Sequence, residues 1–285
     1  CLASAAIQRL MFELDKDEQG YDALTDSWSN DAALYNGYRL ETGSYTVSYE
    51  RANSADASQR VTLYGAQDEE SRINVNTVSK EMLERMFKML GYSPDLAEPV
   101  LDWTDADGNT RFHGAEAYDY ASGERPYAPS NGKMLMLEEL LLVKGIKPEI
   151  YEKMAPLLTI YGDGRVNINT AGPEVLEILG FSPELIQKIL RYRRGLDDLE
   201  GTEDDGVFRS MARVSEDLEM VESISNADRF TINNLSAVLT VSSRFFRIQA
   251  QGKSRGGIVS RVTAVTQRFP KVQKIPARIV SWREG

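Results

Sequence analysis

Apolar positions open the chain at helical spacing: Leu2, Ala6, Leu10 and Leu14, with Ile7 beside them, fall on one stripe, the signature of an amphipathic helix. No capping residue precedes it. The start therefore reads either as the cut end of a longer helix that continues upstream, into a membrane, or as a native terminus frayed after processing. After the turn-rich YDALTDSWSN the period changes to two. In GYRLETGSYTVSYE, Tyr45, Val47 and Tyr49 alternate with Thr46, Ser48 and Glu50, predicting a half-buried strand. The polar turn ANSADAS leads to QRVTLYG, which alternates likewise and predicts the paired strand. The same period returns near the C-terminus in RFFRIQAQ and GIVSRVTAVTQRF, joined by GKSRGG, whose glycines suit a hairpin.

Between these strand runs, over 72–234, the pattern is helical and partly duplicated. RINVNT at 72–77 is echoed by RVNINT at 165–170, and LGYSPDL by LGFSPEL; KGIKPEI is a third joint of the same kind. Each joint has a glycine (Gly91, Gly180, Gly145) where a left-handed residue ends one helix. Each then has a proline (Pro94, Pro183, Pro148) just inside the next helix, where its missing N–H costs nothing. Ser93 and Ser182 stand at N-cap positions. The prediction is an α+β fold in which a long N-terminal helix and an antiparallel sheet are interrupted by a large helical insertion with helix-hairpin-helix-like repeats. Its segments are 1–71 for the helix and first strands, 72–234 for the insertion, and 235–285 for the returning strands and tail.

The 285 residues suffice for about two domains, and 42% hydrophobic content is ordinary for a globular protein. Cys1 is the single cysteine, so packing must hold the fold without an internal disulfide. The most apolar run, MLMLEELLLV, is broken by Glu138 and Glu139 and is shorter than a membrane helix needs. Net charge is −10, unevenly placed: residues 241–285 carry +9, leaving −19 on the rest. An acidic body of this kind opposes binding to polyanions.

Helix-hairpin-helix units often hold a phosphate on hairpin amides, and Arg191, Arg193 and Arg194 beside NINTA give a superficial likeness to the DNA-receptor repeats of natural competence. Ser182-Pro183 stands where a second glycine would let the backbone approach phosphate, and the first copy ends in the acidic LDWTDADG. Packing of helices is the reading favoured for the hairpins. The carboxylates suggest a cation instead. In DWTDADGNTRFHGAE, Asp102 precedes a series in which Asp105, Asp107, Asn109 and Glu116 occupy positions one, three, five and twelve, the donor spacing of a calcium loop. Gly108 and Thr110 depart from the EF-hand pattern, so the inference is calcium-suited chemistry and not an EF-hand. A second cluster, DDLEGTEDD, gathers Asp197, Asp198, Glu200, Glu203, Asp204 and Asp205. It reads as a cation loop or a solvated one. His113 is the sole histidine, no carboxylate pair stands out for acid–base work, and no nucleotide fingerprint occurs. The sequence predicts no enzyme.

Several motifs occur together and in order: DEESRINVNT at 68–77, LDWTDAD at 101–107, GAEAYDY at 114–120, VNINTA at 166–171, then RFFRIQAQG and the final IVSWREG. In this combination the chain resembles the protein K family of the general secretory pathway, the large minor pseudopilins of type II secretion. The resemblance implies a pilin-like fold interrupted by a helical domain. It also implies a periplasmic domain anchored in the bacterial inner membrane by an N-terminal helix that this sequence does not include. The implied role lies at the tip of the pseudopilus, in complex with the I and J minor pseudopilins and on the major pseudopilin filament, without nucleic acid. Calcium in the insertion is implied as well, carried over to Asp102, Asp105, Asp107 and Glu116 and more loosely to 197–205. On this reading Leu2, Ala6, Ile7, Leu10 and Leu14 pack against partner helices, knobs into holes.

Overall fold

A computed structural model of the chain describes residues 1–53, 59–122, 126–273 and 275–285. The chain gathers into two compact units. One comprises Cys1–Ser71, Val166–Pro173 and Pro183–Gly285, the other Arg72–Arg165 and Glu174–Ser182. The helical span 72–234 is thus divided between them.

In the first unit the alternating segments become one antiparallel sheet. Strand Phe245–Ser254 lies in its middle, flanked by Gly43–Val47, which pairs in turn with Tyr38–Leu40, and by Val259–Gln267, which pairs with Arg278–Glu284. Ala250 stands opposite both Val47 and Val262, so both ends of the chain contribute to a single core. The hairpin joining Phe245–Ser254 to Val259–Gln267 turns at Gly257, whose φ is +83°. Tyr49–Ala52 pairs with Arg60–Leu63, as the alternation predicts; of the turn ANSADAS between them, residues 54–58 lie outside the described residues. The strand Arg278–Glu284 carries no alternation of burial, which is why pattern alone did not expose it.

The N-terminal helix, Leu2–Lys16, lies on this sheet, and here the structure corrects the sequence reading. Ala6, Ile7, Leu10 and Leu14 are fully buried, together with Val47, Phe246, Ile248 and Ala264. Leu2 packs over Gly252, where a Cβ would come within 2.7 Å of its own. The stripe is therefore core: the chain's own sheet covers it, and it is not a face left for partner helices. The apolar side chain the helix does expose is Phe12. Part of the C-terminal positive charge is met inside the chain. Arg268 pairs with Asp17 and Asp22, and Arg247 with Glu69, so cations of the last strands meet acids of the first quarter.

The duplicated stretch proves to be a backbone clamp. In the second unit, Ile73–Asn74 forms a short parallel ladder with Leu158–Thr159. Asn74 Oδ1 then accepts from the Asn76 amide at 2.9 Å. Asn76 grips one distant residue at both ends of its peptide, accepting from Met134 N–H at 2.8 Å and donating to Met134 C=O at 3.1 Å. The first unit repeats every step. Val166–Asn167 pairs in parallel with Leu239–Thr240, Asn167 Oδ1 accepts from the Asn169 amide at 3.0 Å, and Asn169 grips Phe208 N–H and C=O, both at 2.9 Å. An asparagine side chain offers one acceptor and two donors, which is what a two-ended grip on a peptide requires. The three joint glycines all have positive φ. At the first, helix Lys80–Met89 is followed by Ser93, which accepts from the Asp95 amide, and then by Pro94–Leu96 and Ala97–Thr104. At the third, the segment before Gly145 is the 3-10 turn Leu137–Leu142 and not an α-helix.

Candidate cation-binding site

Helix Ala97–Thr104 ends in extended backbone at Asp105, and the loop that follows folds back onto Asp102. Asp102 is fully buried. Its Oδ2 accepts from the backbone N–H of Arg111 at 3.2 Å and of Ala115 at 2.9 Å. Gly114 makes this return possible, because a Cβ there would stand 1.8 Å from Asp102 Oδ2. The guanidinium of Arg111 bridges Asp102 Oδ1 and Asp105 Oδ2. Glu116 is buried at 4% exposure; the neighbouring Ala117 backbone N–H faces its carboxylate, but neither of its oxygens, nor Asp105 Oδ1, makes a hydrogen bond of full geometry among the described residues. Burial, then the charges of Asp102, Asp105 and Asp107, push the Glu116 carboxyl up from its ordinary range. Of the predicted set, Asp102 and Glu116 are buried and Asp105 is half-buried, and the oxygens of these three do not all lie within 4.8 Å of one another. Asp107 and Asn109 are exposed and bonded to one another, Asn109 N–H to Asp107 Oδ1 at 2.8 Å. His113 contributes its backbone N–H, which donates to Glu98 at 2.6 Å. Buried carboxylate oxygens without a full hydrogen bond are what a hard cation would satisfy, and Arg111 supplies one positive charge among three acids.

In the second loop, Asp197, Asp204 and Asp205 each bring an oxygen within 4.8 Å of the others. Asp204 Oδ2 accepts from the amides of Leu196 and Asp197 at 2.5 and 3.1 Å, and Asp205 from Gly201 N–H at 2.7 Å. Burial pushes the Asp205 carboxyl up to about 6. The other acids of the cluster do not converge there. Glu200 is buried against Arg193 and Arg51, Asp198 pairs with Arg194, and Glu203 is exposed. The loop's negative charge is therefore partly neutralised from within.

A third carboxylate group, Asp17, Asp22 and Asp26, escaped sequence reasoning, although its oxygens also lie within 4.8 Å of one another. Its cation is Arg268, some 250 residues away, beyond the reach of any local spacing rule. Burial pushes Asp22 up to about 7 despite Arg268 and the Ser243 amide, and Asp26 up to about 6 despite N–H donors from Ala23 and Trp28. A carboxyl that holds its proton more tightly when folded adds stability that is complete below about pH 4 and is lost as pH rises through its folded pKa. The melting temperature is therefore expected to fall between roughly pH 4 and pH 7. Asp26→Asn, whose amide oxygen can still accept both hydrogen bonds, should remove the portion between roughly pH 4 and pH 6. Thermal melts of both proteins at constant ionic strength test this, and an identical slope in the variant would assign the fall elsewhere.

The arginines behind the DNA-receptor likeness are engaged inside the chain. Arg193 is buried and donates to the carbonyls of Ile168 and Ala171, while Arg194 and Arg191 pair with Asp198 and Glu222. A phosphate grip on them would have to break these pairs first.

Fold and loops together define a protein of mixed helix and antiparallel sheet whose distinctive polar chemistry is clustered carboxylate. Residues 62–163 match the family model described as Type II secretion system (T2SS), protein K. The type II secretion system protein K of Aeromonas hydrophila is 30% identical over 154 residues, covering 53% of this chain and 43% of that protein. That of Pectobacterium carotovorum subsp. carotovorum is 24% identical over 189 residues, covering 65% and 55%. The chain thus spans about half the length of these curated relatives, and its motif-level resemblance to protein K holds over the matched stretches. Its fold is similar to that of a chain in the crystal structure of the GspK-GspI-GspJ complex from the enterotoxigenic Escherichia coli type 2 secretion system. The TM-score is 0.70 at 18% identity, with 99% of this chain and 92% of that one covered.

Proposed function

We propose that this chain is the folded part of a minor pseudopilin that acts at the tip of a type II secretion pseudopilus, by assembling with the I and J minor pseudopilins to start or cap the filament for export across the outer membrane. The likeness of fold over 99% of the chain to a member of a K–I–J complex carries this reading. Helix Leu2–Lys16 on an antiparallel sheet is the pilin-like element, and the helical segments, with their helix-hairpin-helix-like joints, interrupt it. Such added bulk suits a filament end, where no further copy must stack. No helix among the described residues is long and apolar enough to cross a membrane; in this reading the anchor is an upstream continuation of the first helix, and the folded part is periplasmic. Mixing this chain with the soluble I and J subunits is expected to yield a 1:1:1 complex by size-exclusion chromatography with light scattering. Separate elution of all three proteins would overturn the assignment.

Calcium belongs to the same proposal. Asp102, Asp105 and Glu116 would hold the ion, with Asp107 and Asn109 at the rim, and Asp197, Asp204 and Asp205 would form a second position. The oxygens of Glu116 and Asp105 that lack a full hydrogen bond fit a cation-binding role. The ion would supply charge neutralisation that locks the loop, not reaction chemistry. Calcium at about a hundred times its dissociation constant is expected to raise the melting temperature by roughly 5–10 °C, and Asp105→Ala to blunt the rise. Equal melting temperatures in calcium and in chelator would remove the metal from the proposal.

A further inference from the structure

The 102–116 loop holds an unusual balance of charge. Two carboxylates, those of Asp102 and Asp105, are drawn together by one guanidinium, and their charges help push up the carboxyl of the buried Glu116. Arg111 covers one oxygen of Asp102 and one of Asp105, and a third oxygen, Asp102 Oδ2, is taken by backbone N–H groups. Asp105 Oδ1 and both oxygens of Glu116 remain buried without a full hydrogen bond among the described residues. A single positive charge leaves this set with two negative charges, the charge a divalent ion would balance. Arg111 itself is not locked in: its side chain is 36% exposed, whereas that of Asp102 is fully buried.

We propose that Arg111 is a tethered internal cation that competes with calcium for Asp102 and Asp105, holding the loop closed in the metal-free chain and swinging to solvent when the site is loaded. This rests on the calcium reading and adds to it a residue that lowers affinity. A guanidinium and a metal ion cannot share the same lone pairs, and like charges at ligand distance repel. Without metal, the arginine keeps the buried carboxylate of Asp102 and the half-buried one of Asp105 from facing each other unscreened. Its loss is then felt in the metal-free state and not in the loaded one.

The test is calorimetric titration of calcium into chelator-stripped wild type, Arg111→Met and Arg111→Lys, with Glu116→Gln identifying which binding event belongs to this loop. Arg111→Met is expected to bind calcium about tenfold more tightly, the scale of one charge-assisted hydrogen bond. It should melt below wild type in chelator and level with it in saturating calcium. Arg111→Lys keeps a charge but not the fork that spans two carboxylates, so it should show a smaller gain, and it serves as the readout if the methionine variant does not fold without metal. Affinity equal to or weaker than wild type in the folded variants would overturn the role of Arg111 while leaving the calcium site standing. If Glu116→Gln abolishes no binding event, the calcium reading of this loop fails, and the role of Arg111 fails with it.

Discussion

Asp68→Ala is expected to lower the unfolding free energy by about 3–5 kcal/mol, the range for breaking a buried charged network by removing one member. Asp68 is 2% exposed. Its Oδ2 accepts from the hydroxyls of Thr170 and Ser243, both at 2.6 Å, and from Asn167 at 3.1 Å, while Oδ1 takes the Glu70 amide at 2.8 Å. Truncation removes the acceptor of the Glu70 amide and of the Ser243 hydroxyl, while Asn167 keeps Asp22 C=O and Ser243 Oγ and Thr170 keeps Asn167 C=O; each unsatisfied donor costs roughly 1–3 kcal/mol, though not additively. Asp68→Asn keeps an acceptor for the Glu70 amide but turns an N–H toward Asn167, so a smaller loss of about 1–2 kcal/mol is expected. Urea denaturation measures both. An alanine variant within about 1 kcal/mol of wild type would show that these segments are held by packing alone.

Gly114→Ala should be nearly as damaging, for a steric reason. The added Cβ would lie 1.8 Å from an oxygen of Asp102, which is fully buried and fixed by two backbone N–H groups. Either the loop or the aspartate must move, at a cost of about 2–4 kcal/mol. Because the same movement opens the carboxylate cluster, the calcium-dependent rise in melting temperature should vanish as well. Gly108, in the same loop, has nothing within 4 Å of its would-be Cβ, and Gly108→Ala is expected to stay within about 0.5 kcal/mol. Equal effects at the two positions would mean that Asp102 is not gripped as described.

These residues also show where reading from sequence stops. Alternation at Tyr45, Val47 and Tyr49 identified strand residues and their buried face, because a two-residue period is local information, but not the break at Ser48 that puts Tyr49–Ala52 in a separate two-stranded sheet. The apolar stripe of the first helix was equally plain, but periodicity marks a face and not what covers it. Strand Phe245–Ser254, which lies against that face, comes from the far end of the chain. The repeated N-x-N was visible as a repeat, yet its purpose depends on Met134 and Phe208, which no spacing rule links to Asn76 and Asn169. In the acidic loops the carboxylates were legible and their counter-charges were not. Arg111 stood in the quoted motif all along, and Arg268 beside Asp17 and Asp22 required the fold.

The position of strand Phe245–Ser254 between Gly43–Val47 and Val259–Gln267 also sets a timetable. Val47 meets Ala250 about two hundred residues later in the chain, a separation that slows folding. During synthesis the apolar stripe of the first helix and the edge of Gly43–Val47 stay bare until strand Phe245–Ser254 emerges, the stage at which uncovered strand edges are most prone to aggregate. A chain stopped before Arg244 would keep both clamped asparagines and lose the middle of the sheet. The vulnerable stage for this chain is therefore the interval before strand Phe245–Ser254 is made.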